Sequence, residues 1–289
     1  DMLSVQETAE LNRLLKDLHL PTIRSTFEEF AIQAQKNSTS YEEYLLELLQ
    51  AETQTRKINR VERLLRESKI PLEKSLESFQ QERIPHKEWM KVQALLKGEF
   101  VRRCENVLSF GNPGTGKTHL LCAIGQELIR EGYRVRFYSC NLLVQELLRA
   151  KKELRMERLF KKLSRLDVLI VDDIGYVQQS REEMEVLFTL LAQRYERGSL
   201  MITSNLPFSQ WDQIFKDPMT TAAAIDRVIH HSVIIELNLK SYRMEEAQKQ
   251  QKKEKQSDGN MVVSDGDSQQ VSAGHSSPDG QFEETLCDG

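Results

Sequence analysis

No apolar run in this sequence approaches the roughly 20 residues needed to cross a bilayer as a helix. Its first residues also lack the charged-then-apolar pattern of a targeting segment, and Asp1 ahead of Met2 reads as a processing remnant. A soluble, cytoplasmic chain with no membrane partner is expected. Cysteine is scarce. Four occur in 289 residues (Cys104, Cys122, Cys140 and Cys287), none at C-x-x-C or Cys/His spacing. That argues against a zinc site and a disulfide framework, and leaves reduced, buried thiols. Lys and Arg are absent after Ser257, where seven acids stand among Ser and Gly with few apolar side chains. Such a composition buries too little to offset the entropy of ordering, so residues 251–289 are expected to be a disordered acidic tail. Without those seven acids the net charge of −4 becomes +3, which makes the body mildly basic.

Against these absences, 39 % hydrophobic residues suffice for a packed core. One stretch, from Phe110 to Leu120, carries a specific signal, because Gly111, Gly116, Lys117 and Thr118 fit G-x-x-x-x-G-K-[ST]. The apolar residues from Asn106 to Phe110 predict a buried strand before it, and Leu120 to Ile129 a helix after it. Between strand and helix, a glycine-permitted turn points successive N–H groups at one anion. Gly111, Asn112, Pro113, Gly114, Thr115, Gly116, Lys117, Thr118 and His119 are therefore candidate nucleotide contacts. Lys117 would reach the β/γ-phosphates and Thr118 would hold Mg²⁺.

Leu166 to Asp173 reads as a strand buried on both faces that ends in two carboxylates, at the edge where α/β sheets place ligands. Asp172 would complete the magnesium shell, and Asp173 would orient the attacking water. Ser199 to Asn205 is a further strand ending in polar residues. Asn205 would meet the γ-phosphate or hydrolytic water from there, or simply form the turn before Leu206 and Pro207.

The chain before residue 70 shows helical apolar spacing in three stretches: Leu11, Leu14, Leu15 and Leu18; Phe27, Phe30, Ala31 and Ala34; and Tyr44, Leu45, Leu48 and Leu49 running on to Leu65. Pro21 and residues 36–40 separate them, which predicts a three-helix domain over 1–70. Arg56, Lys57 and Arg60 on the third helix read equally as phosphate contacts or as solvated surface. Residues 71–86, loosened by Pro71 and Pro85, are the expected linker, and 87–250 the nucleotide domain. Between Arg149 and Arg165 stand eight basic residues and two acids, with Leu154, Leu159, Phe160 and Leu163 as an apolar side. An amphipathic helix so charged suits a DNA backbone, with Lys151, Lys152, Arg155, Arg158, Lys161 and Lys162 as candidate contacts, against an ordinary solvated helix as the plain alternative.

Taken together, the phosphate loop, Asp172 to Gly175, Thr203 to Asn205, Ala224 to Arg227 and Ser241 to Arg243 resemble the AAA+ ATPases of the helicase-loader branch, and above all the IstB-like transposition helpers of bacterial insertion sequences. The resemblance runs from about residue 5 to about residue 250. It implies an α/β fold with a parallel sheet flanked by helices, Asn205 as the γ-phosphate sensor, Arg227 as a finger completing a neighbouring subunit's site, and Arg243 as a further phosphate sensor. It also implies ATP hydrolysis, homo-oligomers with ATP at subunit interfaces, duplex DNA that is bent, and a transposase partner. Asp173 stands where the wider family has Glu. Delivery of a replicative helicase, a small-molecule kinase and a non-hydrolysing nucleotide switch are the alternatives that the same loop would serve.

Overall fold

Ser4 and Ser40 each form a capping box, with Glu7 and Glu43, and these start the first and third helices. The computed structural model describes residues 4–175, 180–207, 210–211, 218–237, 239 and 241. Helices α1 (Val5–Asp17), α2 (Pro21–Asn37) and α3 (Tyr41–Ser68) come first, as the spacing predicts. Pro21 opens α2, where its missing N–H costs nothing. Glu52 of α3 accepts bonds from the Thr22 and Ile23 amides at 2.8 and 3.1 Å, and from Arg56 at 2.8 Å. Burial works to raise the Glu52 carboxyl, but these bonds outweigh it and hold the group below its ordinary range.

The core of these three helices is small, formed by Leu15, Ile23, Phe27 and Leu48. Leu14, Leu18, Leu45 and Leu49, expected in the apolar stripes, are exposed. Ridge positions alone do not bury a side chain when only three helices supply the facing surfaces. Further along α3, Leu64 leaves this cluster and joins the core beneath the sheet, with Val61 and Leu65 packed against it.

Then follow α4 (His86–Leu96), α5 (Glu99–Arg102), β1 (Asn106–Phe110), α6 (Lys117–Arg130), β2 (Val135–Ser139), α7 (Cys140–Lys152), α8 (Met156–Leu163), β3 (Val168–Ile174), α9 (Arg181–Arg194), β4 (Ser199–Ser204), α10 (Pro218–Ile229) and β5 (Ser232–Glu236). Among the described residues the strands form one parallel sheet in the order β2-β3-β4-β1-β5. One apolar core fills each face, with α6 central to one and α7 and α9 to the other. This is the expected α/β architecture. Arg194, at the end of α9, is buried, and burial pushes its guanidinium down to about 10. It donates to the carbonyls of Leu163, Leu166, Asp167 and Ser199, and so gathers the ends of α8, β3 and β4.

The basic stretch corrects the sequence reading. It is two helices rather than one, because α7 stops at Lys152 and α8 starts at Met156. At the break Leu154 adopts φ +55° and is 94 % exposed, so it is not part of the apolar side. Leu159 and Leu163 are buried as expected. Cys122 and Cys140 are buried and Cys104 is half-buried, all as free thiols. Cys287, Arg243 and the acidic tail lie outside the described residues. Among the described residues no helix is long and apolar enough to cross a membrane.

Candidate nucleotide-binding site

β1 delivers the chain to Gly111 at the C-terminal edge of the sheet, and α6 begins six residues later at Lys117. Gly111 is required by crowding, since a Cβ there would collide with the carbonyl of Leu237, which follows β5. Gly116 caps α6 at φ +97°, a backbone conformation that side chains disfavour. Lys117 is only 5 % exposed, and its Nζ donates to the Gly111 carbonyl (2.8 Å), the Asn112 carbonyl (2.9 Å) and Asn205 Oδ1 (2.7 Å). The lysine is thus folded back onto its own loop, and Asn205 meets it where a phosphate would.

The two acids of β3 are separated by a break in the β3–β4 register between Val171 and Ile174, as in a β-bulge. Asp173 takes φ +59° and lines the pocket, while Asp172 stays buried. A bulge re-aims a side chain, and Asp tolerates the left-handed region better than most residues. Thr203 of β4 fixes the arrangement. Its hydroxyl donates to Asp172 Oδ1 at 2.6 Å and accepts from the Asp173 amide at 2.8 Å. Thr118 Oγ1 donates to the same Asp172 oxygen at 2.7 Å. The hydroxyl and carboxylate oxygens so paired are hard donors of the kind that could hold Mg²⁺. Among the described residues there is no group of three or more His, Cys, Asp or Glu that could hold a metal ion. Behind the loop, burial pushes the Cys122 thiol up to about 12, with Lys74 opposing and Asp172 adding to the shift, so Cys122 offers no nucleophile.

The pocket over this loop, of about 340 Å³, is also lined by residues not singled out in the sequence: Lys74, Ser78, Phe79, Gln80, Arg83 and Ile84. They belong to the stretch expected to be a linker. His119 holds that stretch down. Its Nε2 lies 2.9 Å from the Ser75 carbonyl and 3.1 Å from Ser78 Oγ, and Phe79 meets its ring edge-on at 5.2 Å. The only sequence signal was the position of His119, directly after the loop threonine.

Arg227 stands elsewhere. It lines a pocket with Arg103, Glu105, Asn106, Tyr195 and His231 at the N-terminal edge of the sheet. Asn106 fixes this corner, donating to the Val228 carbonyl at 3.0 Å and accepting from the Leu200 amide at 2.9 Å. Five residues of β1 lie between this corner and the loop, roughly 16 Å at strand rise. The structure therefore brings together Lys117, Thr118, Asp172, Asp173 and Asn205, and leaves Arg227 apart.

The basic residues occupy two places. Arg56 is engaged with Glu52 and the His19 carbonyl, and Arg60 donates to the Gly132 carbonyl at 3.2 Å, so both hold α3 in place; Lys57 is exposed beside them. On α7, α8 and the turn between them, Lys151 pairs with Glu185 (3.3 Å), Arg155 with Glu153 (3.2 Å) and Lys162 with Glu146 (3.5 Å), while Lys152, Arg158 and Lys161 face solvent.

The family described as IstB-like ATP binding protein matches residues 13–251. A protein named as an insertion-sequence ATP-binding protein in Sinorhizobium fredii is 42 % identical over 83 % of this chain and 81 % of its own length. The ATP-binding protein of insertion sequence IS21 from Pseudomonas aeruginosa is 38 % identical, over 83 % and 91 %. The structure of DnaA from Aquifex aeolicus bound to AMPPCP superposes with a TM-score of 0.50 at 21 % identity, covering 64 % of this chain and 56 % of that one; it shares the fold.

Proposed function

This chain belongs to the IstB-like ATP-binding proteins of insertion sequences, and from that premise we propose that it is an ATPase that assembles on DNA and engages a transposase. The observation that carries the reading is the convergence of Lys117, Thr118, Asp173 and Asn205 on one pocket, with Asp172 bonded to Thr118 beneath it and Arg227 at the opposite edge of the sheet. Five groups in one subunit hold and address a triphosphate, and the sixth faces outward to a neighbour.

In this reading ATP displaces the Asn205 and carbonyl partners of Lys117, which then contacts the β- and γ-phosphates. Thr118 Oγ1 and Asp172 would hold Mg²⁺, which when bound would supply charge neutralisation at the phosphates. Asp173 aims a water at the γ-phosphorus, Asn205 senses the γ-phosphate, and ADP and phosphate leave. Arg227 of one subunit neutralises charge on the phosphoryl group held by the next. Lys152, Arg158 and Lys161, together with the paired cations of α7 and α8, meet DNA phosphates, and bending a duplex by several subunits costs only about 1–6 kcal/mol. Residues 1–70 act as the assembly domain and 87–250 as the motor.

Lys117→Ala and Arg227→Ala proteins, each inactive alone, are expected to regain partial ATPase activity on DNA when mixed. No recovery would rule out a shared site and leave the self-contained kinase-like pocket. Retention of a replicative helicase instead of a transposase in a pull-down would change the partner and keep the ATPase.

A further inference from the structure

The segment between α3 and α4 carries a charge that the chemistry above does not use. Lys74 stands six residues after Ser68, the last residue of α3, and lines the pocket over the phosphate loop. Its backbone is gripped from α6. Gln126, buried on that helix, donates from Nε2 to the Lys74 carbonyl at 3.0 Å, and the next carbonyl, of Ser75, meets His119 Nε2 at 2.9 Å. The Lys74 amide in turn donates to the Pro71 carbonyl at 3.2 Å. Thr118, Cys122 and Gln126 follow one another at four-residue spacing on one face of α6, so they form a track from the Lys74 carbonyl to the bond between Thr118 and Asp172. Halfway along it, burial pushes the Cys122 thiol up and the Lys74 charge pulls against that rise. With its carbonyl held at Gln126 and the residue lining the pocket beside Thr118, Lys74 extends along this track toward the phosphate loop.

The ammonium arrives there without a counter-ion. Lys74 is half-buried, and among the described residues its Nζ makes no hydrogen bond or ion pair. A charge that has lost part of its hydration is stabilised when an opposite charge meets it. The pocket's own groups do not supply one in full, because Lys74, Arg83 and Lys117 line it against a single acid, Asp173. Such an excess of fixed positive charge in a concave site favours a ligand carrying several negative charges.

We propose that Lys74 is a second phosphate-contacting lysine, whose ammonium meets the polyphosphate of the bound nucleotide from the 71–84 segment while Lys117 meets it from the loop. A phosphate oxygen accepts a charge-assisted hydrogen bond from each. The inference rests on the nucleotide-site reading above and adds to it a contact from outside the loop. That contact is carried by the chain that joins α3 to the nucleotide domain, so an occupied pocket holds the junction as well as the loop.

The test is calorimetric titration of the full chain with ATP and with adenosine at fixed magnesium. Lys74→Met keeps an apolar stem and removes the charge, and is expected to weaken ATP binding roughly 10-fold while leaving adenosine binding unchanged. Lys74→Arg should bind ATP within about threefold of the wild type, because it restores the charge. Limited proteolysis between residues 71 and 84 without nucleotide should run at the wild-type rate in both variants, which separates a lost contact from a loosened segment. Unchanged ATP affinity in Lys74→Met would overturn the proposal. An equal loss of adenosine binding, an equal loss in Lys74→Arg, or faster cleavage alongside weaker binding would overturn it too, since each points to a residue that merely holds the segment. A wild-type chain that binds no ATP removes the nucleotide site itself, whereas ATP binding indifferent to Lys74 removes only this contact.

Discussion

Asp172 and Asp173 are adjacent, yet one is buried under two hydroxyls and the other opens into the pocket. Replacing Asp173 by Asn is therefore expected to lower ATP hydrolysis by roughly 10²–10⁴-fold with little change in ATP affinity, measured by phosphate release and by nucleotide titration. Thr203 orients Asp172 and does not line the pocket. Thr203→Val should raise the magnesium concentration needed for half-maximal ATP binding by about 10-fold or more, and a magnesium titration that coincides with the wild type would remove that role. A third residue sets a pH dependence. Glu52 has a folded-state carboxyl below its usual value of 4.5, so its contribution is complete above that value and is lost as pH falls through the folded one. Thermal midpoints should drop on acidification below about pH 4.5, and Glu52→Gln should lose about 1–3 kcal/mol at neutral pH with a flatter acid limb. The paired acids were legible as a strand end, since four apolar residues precede them. The division of labour was not, because the bulge depends on pairing with β4, thirty residues away.

At the level of elements, periodicity located the strands and helices because apolar residues repeat at 2.0 or 3.6 wherever one face is buried. It failed at Leu154, where a mostly basic stretch holds just enough leucines to look continuous while the chain turns. It was also silent on residues 71–84, which have turn-forming composition and no period, although they wall the pocket. His119 is their visible anchor. His119→Ala should free this stretch, so limited proteolysis would cut between residues 71 and 84 several times faster, with ATP restoring less protection than in the wild type. Equal cleavage rates would show that Phe79 and its neighbours hold the segment without the histidine.

Across the whole molecule, α3 connects the small helical cluster to the core beneath the sheet, through Glu52 at one point and Leu64, Arg60 and Arg136 further along. Particle mass by light scattering is expected to rise when DNA and a non-hydrolysable ATP analogue are added together, and Arg227→Ala should cut that rise. Mass unchanged by nucleotide would contradict assembly through this site. Arg227 and the phosphate loop sit at opposite edges of one sheet, so under the proposed function a finger and a receiving pocket would both be present on each copy and face different ways. Two copies related by a twofold axis would present like surfaces to each other, whereas a finger meeting a pocket makes a head-to-tail join that is repeated from copy to copy. An unclosed row built that way always contains one fewer finished site than it has copies. Activity per subunit should then climb with the length of the row, and a DNA that lengthened it would be the ruler by which hydrolysis is measured.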